Sequence, residues 1–188
     1  MAKSEIDVEG IKGKYALARK KAIESGAIDE GMLKAQKEND LRIAEVRGLI
    51  LNRTAELEHQ LNHFLSWYFT YNERRAVDLY DALLTKEFFT LHQKIVLFGE
   101  LGYHKRKDFG GRFEGLTAQL HKVKEMRNLL AHGHKASATE PLVRMLSQNE
   151  PTRLDGKFMA QFKASFEAAF FSLVELNERI REMDRGTG

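Results

Sequence analysis

The chain has 188 residues, of which 43% are hydrophobic and 10% aromatic, enough for one domain with a buried core. With 30 basic and 27 acidic residues its formal charge is only +3, so a contact with nucleic acid requires a local basic patch. The absence of cysteine excludes disulfides, thiolate zinc sites and cysteine nucleophiles. We expect a cytoplasmic protein without a membrane segment, because the N-terminus has no signal-peptide core and charges interrupt the most apolar stretch, residues 166–176.

The pattern of apolar residues divides the chain near residue 40. Residues 1–40 are polar and rich in lysine, with a short amphipathic segment that ends at Gly26, and we interpret them as an N-terminal extension. Residues 41–188 carry repeated apolar stripes and form the predicted domain. Its first element is a long helix from about Asn39 to Thr70, in which apolar residues recur every three or four positions.

Cap residues predict where the next two helices begin. Asn72 is expected to cap a short helix that carries Val77, Tyr80 and Leu84. Thr85 is expected to cap the following helix, which should end at the glycines of residues 99 and 102. One apolar stripe defines this helix, formed by Phe88, Leu91, Ile95 and Phe98.

The second half of the chain predicts two more helices around an irregular segment. One helix runs from about Arg112 to His132 and is followed by Gly133, a typical helix-ending residue. The last helix runs from about Lys157 to Asp184. The predicted fold is therefore all-α, an up-and-down bundle of four to six helices, with a small hairpin near residues 142–154.

The helix that ends at His132 has a cation on its apolar stripe. Positions 113, 116, 120, 123 and 130 are apolar, but the intervening stripe position is Arg127. A guanidinium cannot lose its proton, so it needs either a carboxylate partner or a water-filled groove. His132 lies in the last turn, where the helix dipole favours an imidazolium. Histidine and arginine together suit phosphodiester chemistry, because imidazole moves protons while guanidinium binds phosphate bidentately.

The segment Arg127-Asn128-Leu129-Leu130-Ala131-His132 resembles the motif of the HEPN superfamily. That motif is an arginine, a polar residue, three further residues and a histidine near the end of a helix. The resemblance extends over the bundle from about residue 43 to 183. It implies a metal-independent endoribonuclease that needs no cofactor and acts as a homodimer on RNA.

The resemblance also implies a role for each motif residue. Arg127 holds the scissile phosphate, His132 transfers a proton as the ribose 2′-OH attacks, and Asn128 orients one of the two. Such enzymes include toxins and phage-defence effectors, whose partner is an antitoxin or another protein of a defence complex. A toxin subgroup has tyrosine two positions after the motif histidine, where this chain has His134.

Two alternatives remain open at this point. The superfamily includes inactive members, so the chain is alternatively an RNA- or protein-binding scaffold module. Without any such function, Arg127 would pair with a carboxylate of the long first helix and His132 would only end its own helix. Within the family, an acidic or polar residue of the first helix often faces the arginine. Glu56 and Glu58 are the candidates for this partner.

Two further clusters of polar residues are candidates for binding. The loop before the motif helix carries the densest group of cations. This loop either contacts the RNA backbone or is simply a solvated surface loop. On the first long helix, His59 and His63 lie one turn apart, as two metal ligands would. No matching third ligand is present in the sequence, so we predict no metal. The candidate RNA-binding residues are Lys105, Arg106, Lys107 and Arg112.

Overall fold

The longest helix begins earlier than the sequence pattern predicts. The computed structural model describes residues 16–18, 20–26, 29–70, 72–104 and 113–185. Helix α1 spans Glu30–Thr70, so it starts before the predicted Asn39 and runs through the predicted boundary at residue 40. Asp29 caps its first turn, since its carboxylate accepts the backbone N–H of Gly31 at 2.8 Å. The short helical segment before α1 ends as predicted at Gly26, where φ is 71°.

Helix α2, Glu73–Leu79, continues directly into a π-helical turn, Tyr80–Leu84. Asn72 caps α2 as predicted, because its side chain accepts a backbone N–H of the first turn. The π-helical turn inserts an extra residue, which shifts the helical register. In α2 Ala76 is buried, whereas the predicted Val77 is 55% exposed, and Leu84 in the turn is buried.

Helix α3, Leu91–His104, starts later than predicted. Its N-terminus is a capping box, in which Gln93 Oε1 accepts the backbone N–H of Thr90 at 2.7 Å. Thr85, the predicted cap, instead donates its hydroxyl to an earlier carbonyl oxygen of the π-helical turn. The glycines at positions 99 and 102 lie within α3 and do not end it.

The predicted hairpin is present and belongs to a three-stranded sheet. Helix α4 spans Phe113–His132, and strand β1, His134–Lys135, follows it after one residue. Strands β2, Leu142–Arg144, and β3, Thr152–Arg153, form the hairpin, and the antiparallel order is β1-β2-β3. Helix α5, Gly156–Arg185, completes the fold. The structure is thus mainly helical, as predicted, with one small sheet in addition.

The helices surround one hydrophobic core. Helices α1 and α4 both pack against α5, and α3 packs against α4. No helix in the described part of the chain combines the length and the apolar character needed to span a bilayer. The largest fully buried side chains of the core are Phe64, Phe98, Ile50, Leu57, Leu61, Leu65, Leu84, Ile95, Leu120, Leu130, Leu154 and Leu173.

The first half of α1 is fastened to the region of the sheet by polar contacts. The buried side-chain amide of Asn39 donates to the carbonyl oxygens of Ser137, Ala138 and Glu140, the shortest at 2.8 Å. The next residue of the helix, Asp40, forms an ion pair with Lys135 of β1. These contacts explain why α1 is stable in a stretch that lacks the apolar stripe of its second half.

A groove of about 480 Å³ lies between α1 and α5 and is called the apolar groove below. Aromatic residues of α5 form its walls, among them Phe162, Phe166 and the exposed Phe171. Arg53 of α1 lies over the ring of Phe166, at 5.7 Å from the ring centroid.

Candidate active site

The three predicted catalytic residues line one cleft, with a volume of about 700 Å³. Helices α1, α3 and α4 and the π-helical turn surround it. Arg127, Asn128 and His132 come from the C-terminal half of α4, and Glu58 and His59 face them from α1. The structure therefore brings the motif together with two polar residues of the first helix.

Arg127 is half-buried in this cleft rather than enclosed in the core. Its Nη1 donates to Oδ1 of Asn128 at 3.1 Å. Among the described residues, no carboxylate forms an ion pair with it. The sequence predicts either a carboxylate partner or a water-filled surrounding for Arg127. The structure shows the second, because Arg127 lines the open cleft. Most of its N–H donors are available to a ligand.

Neither candidate carboxylate is the partner of Arg127. Glu56 pairs with Arg53 at 2.8 Å on the groove side of α1. Glu58 does line the cleft, but it forms an ion pair with Lys94 of α3. Lys94 is only 2% exposed, so its ammonium group depends on this carboxylate for compensation.

A second polar group in the cleft is built around Tyr80, the first residue of the π-helical turn. Its hydroxyl lies 2.6 Å from Nδ1 of His59. Burial raises the pKa of the Tyr80 phenol; a hydrogen bond from Asn62 opposes this shift, and Asp81 and Glu58 add to it. The phenol keeps its proton at neutral pH and can donate it to Nδ1. Nε2 of a neutral His59 then carries the ring's N–H and is a donor.

Asn62 adds an unused acceptor to this group. It is buried, and its Oδ1 has no hydrogen-bond partner among the described residues. A buried oxygen without a hydrogen-bond partner is costly. A ligand that donates a hydrogen bond would remove that cost.

The lining of the cleft carries more positive than negative charge. Apart from the Lys94–Glu58 pair, its cations are Lys86, Lys124 and Arg127, against the single carboxylate of Glu87. His121 of α4 lies beside His92 of the lining, with ring centroids 6.0 Å apart. Burial lowers the pKa of His121, and the positive charges of Lys124 and His92 lower it further, against the effect of Glu125. An anionic ligand is therefore favoured in this cleft.

The end of α4 is fixed by close packing at Gly133. A Cβ atom at this position would lie 2.1 Å from the carbonyl oxygen of Leu129 and 2.5 Å from Cγ1 of Val143 in β2. Glycine is thus required here for close approach, and not for the left-handed conformation of a helix-ending glycine. The carbonyl oxygen of Gly133 also accepts a hydrogen bond from Arg47 of α1 at 3.3 Å. His132, one residue earlier, is exposed at the rim of the cleft on a well-supported helix end.

The predicted basic loop lies outside the described residues. Lys105, Arg106, Lys107 and Arg112 therefore remain candidates for contact with the RNA backbone on the sequence alone.

His59 and His63 do not have the surroundings of a metal centre. Their rings are perpendicular, with centroids 4.7 Å apart, and His59 Nδ1 is engaged by Tyr80. Among the described residues, no three side chains of histidine, aspartate or glutamate are grouped as a metal ion requires.

The sequence pattern did not predict several residues that line the cleft. Lys94 does not interrupt the apolar stripe of α3 as Arg127 interrupts that of α4, but it lies beside Ile95 on the same buried face of the helix. Tyr80 carries no comparable signal, since its position depends on the π-helical turn.

Comparison of the chain with protein-family models, curated protein sequences and solved structures gives no match. The function of the chain is accordingly inferred from the residues of the cleft and their chemistry.

Proposed function

We propose that the chain is a metal-independent endoribonuclease of the HEPN type that acts in the cytoplasm. The observation that supports this function is the meeting of Arg127, Asn128 and His132 in one cleft with an excess of cations. A cationic cleft suits a polyanion such as RNA. A guanidinium and an imidazole can together bind and cleave a phosphodiester without a metal ion.

Each group has a distinct task in the proposed reaction. Arg127 binds the non-bridging oxygens of the scissile phosphate, while its hydrogen bond to Asn128 holds the guanidinium in place. His132 takes the proton of the ribose 2′-OH as that oxygen attacks phosphorus. The bond from phosphorus to the 5′-oxygen breaks, this oxygen takes up a proton from water, and the imidazolium of His132 returns its proton to the solvent. The products carry a 2′,3′-cyclic phosphate and a 5′-hydroxyl group.

We further propose that the active form is a homodimer. A phosphodiester transition state gains from donors on both of its sides, and one chain supplies a single copy of the motif. Light scattering of the full chain at tens of micromolar is expected to show a dimer. A strict monomer at that concentration would contradict this part of the proposal. An antitoxin or defence-complex partner remains a prediction.

A binding module without catalysis is the second candidate. The observation that favours it concerns His132, which is exposed and has no hydrogen bond within the described residues to orient its imidazole. The cations of the cleft would bind RNA equally well without that group. Cleavage and binding must therefore be measured separately.

The test is incubation of the purified chain with total RNA in EDTA. The wild type is expected to cleave it and to leave 2′,3′-cyclic phosphate ends. His132→Ala should lower the rate by about 10² to 10⁴, the usual contribution of general acid–base catalysis. Arg127→Lys should also fail, since lysine keeps the charge but loses the bidentate fork.

The matched control is His134→Ala, two positions further along the chain. His134 is exposed on β1 and does not line the cleft, so this variant should cleave at the wild-type rate. Thermal melting of all variants checks that they are folded. Retention of intact RNA by the wild type would favour the binding module, and an active His132→Ala protein would exclude the proposed mechanism.

A further inference from the structure

A second, smaller pocket adjoins the cleft. It has a volume of about 260 Å³ and lies between the C-terminal part of α1, the start of α2 and the end of α5. Two of its lining residues, His59 and Tyr80, also line the cleft. The two concave sites are therefore neighbours that share one wall.

Aromatic rings form much of the lining of this pocket. The rings of His63 and Tyr80 have centroids 5.5 Å apart at an interplanar angle of 45°, and His59 stands perpendicular to His63. Trp67 is a fourth ring of the lining. Burial lowers the pKa of His63, and the nearby His59 and Arg181 lower it further, so its ring is neutral at neutral pH. A pocket lined by several aromatic ring faces suits a flat aromatic ligand.

Charged groups at the edge of the pocket are free to recognise polar atoms. Glu73 at the start of α2 and Arg181 near the end of α5 both line it. Neither side chain forms a hydrogen bond or an ion pair with another described residue. A carboxylate accepts hydrogen bonds and a guanidinium donates them. Together they match ligand edges that carry both N–H groups and ring or carbonyl acceptors.

We propose that this smaller pocket binds a nucleobase of the RNA whose phosphate lies in the cleft. This inference rests on the proposed function, because it takes the ligand of the cleft to be RNA. Base and phosphate are joined through one sugar, so a base pocket is expected beside the cleft that holds the phosphate, and this pocket shares the wall of His59 and Tyr80 with that cleft. Unpaired bases are bound in this way, by stacking on aromatic side chains and by hydrogen bonds to their edges.

The chain contains a direct reporter for this pocket. Trp67 is its single tryptophan, so the intrinsic tryptophan fluorescence comes from the pocket itself. The probe is a 2′-O-methyl pentanucleotide, which the proposed reaction cannot cleave because it lacks the attacking hydroxyl. We expect it to quench Trp67 in a saturable manner. The same backbone with abasic sites, and inorganic phosphate, should leave the fluorescence unchanged.

A pocket-filling variant tests the position. Val77 lines the pocket and is exposed, so Val77→Phe should fill the space without disturbing the core. It should weaken binding of the pentanucleotide, measured by fluorescence anisotropy of a labelled copy, by roughly 5- to 100-fold, the usual value of one stacked base. The control is Val96→Phe, at an exposed valine of α3 that lines neither site.

The outcomes separate this inference from the proposed function. Equal quenching by the complete and abasic oligonucleotides, or unchanged affinity in Val77→Phe, would overturn the base pocket even if RNA were still cleaved in EDTA. Base-dependent quenching with loss in Val77→Phe would support the pocket even if no RNA were cleaved.

Discussion

The cleft and the apolar groove lie on different sides of the same helix and differ in how their charges are compensated. Glu56 of α1 belongs to the groove and Glu58 to the cleft, although only one residue separates them. Two positions along an α-helix correspond to a rotation of about 200°, which explains the separation. Two glutamates of α1 therefore belong to different sites because of their angular positions around the helix, and not because of their residue type.

The groove contains charged residues that are already paired with each other. Arg53 is bound by Glu56 at 2.8 Å, and Lys163 lies 3.8 Å from Glu167. In the cleft, by contrast, Arg127 has no carboxylate partner among the described residues. The comparison teaches that uncompensated charge, more than the number of charged residues, distinguishes a binding site for an anion from a surface that is merely polar.

The largest effect on stability is expected from an aromatic wall of the groove. Phe162 is buried, so Phe162→Ala should lower the free energy of unfolding by about 3 to 5 kcal/mol. Urea denaturation measures the change. Phe171→Ala is the control, since Phe171 is 66% exposed and should cost far less. Equal losses in the two variants would show that Phe162 does not contribute to the core.

A smaller loss is expected from the ion pair of the cleft. Glu58→Gln leaves the buried ammonium of Lys94 without a counter-charge and should cost about 3 kcal/mol. Glu56→Gln is the matched control and should cost less than about 1 kcal/mol, because the Arg53–Glu56 pair is exposed. Equal unfolding free energies for the two variants would contradict the difference between the two faces of α1.

The capping box at the N-terminus of α3 should contribute still less to the free energy of unfolding. Thr90→Ala removes the cap and should cost about 1 kcal/mol. Thr85→Ala removes a hydroxyl that also lines the cleft but caps no helix, so its unfolding midpoint should stay closer to that of the wild type. A reversed order would restore Thr85 as the cap of this helix.

The smallest effect is a pH dependence from the pocket beside the cleft. The pKa of His63 is lowered from its usual 6.5, so the unfolded chain binds a proton more readily than the folded chain. The contribution of neutral His63 is complete above pH 6.5 and is lost as the pH falls towards the lowered pKa. His63→Gln should therefore flatten the fall in melting temperature between neutral pH and pH 5. The pKa of His121 is also lowered. Combining His63→Gln with His121→Gln should therefore flatten the fall in melting temperature further.

The sequence was sufficient for most helices and for the cation of the cleft. Apolar periodicity located the second half of α1, together with α4 and α5, because each buries a continuous stripe. The same periodicity marked Arg127 as an exception, which the structure explains by its place in the cleft. Apolar periodicity does not predict a helical segment that is stabilised by polar contacts. The first half of α1 depends on the Asp29 cap and on Asn39, and neither produces an apolar stripe.

The composition of the site was less predictable than its motif. The roles of Glu58 and Tyr80 depend on contacts between elements, namely the pair with Lys94 of α3 and the hydrogen bond to His59 of α1. The extra residue of the π-helical turn shifts the helical register after α2, and no regular period in the sequence predicts it.

Asn39 has a consequence for the lifetime of the folded chain. Its amide binds carbonyl oxygens that are 98 to 101 residues away in sequence. Contacts of such long range require closure of a large loop, so they form only after α4 and the sheet have met α1. Interactions absent from the folding transition state slow unfolding and leave the folding rate almost unchanged. We therefore expect the first half of α1 to contribute kinetic stability and so to lengthen the time that the bundle with its cleft stays folded.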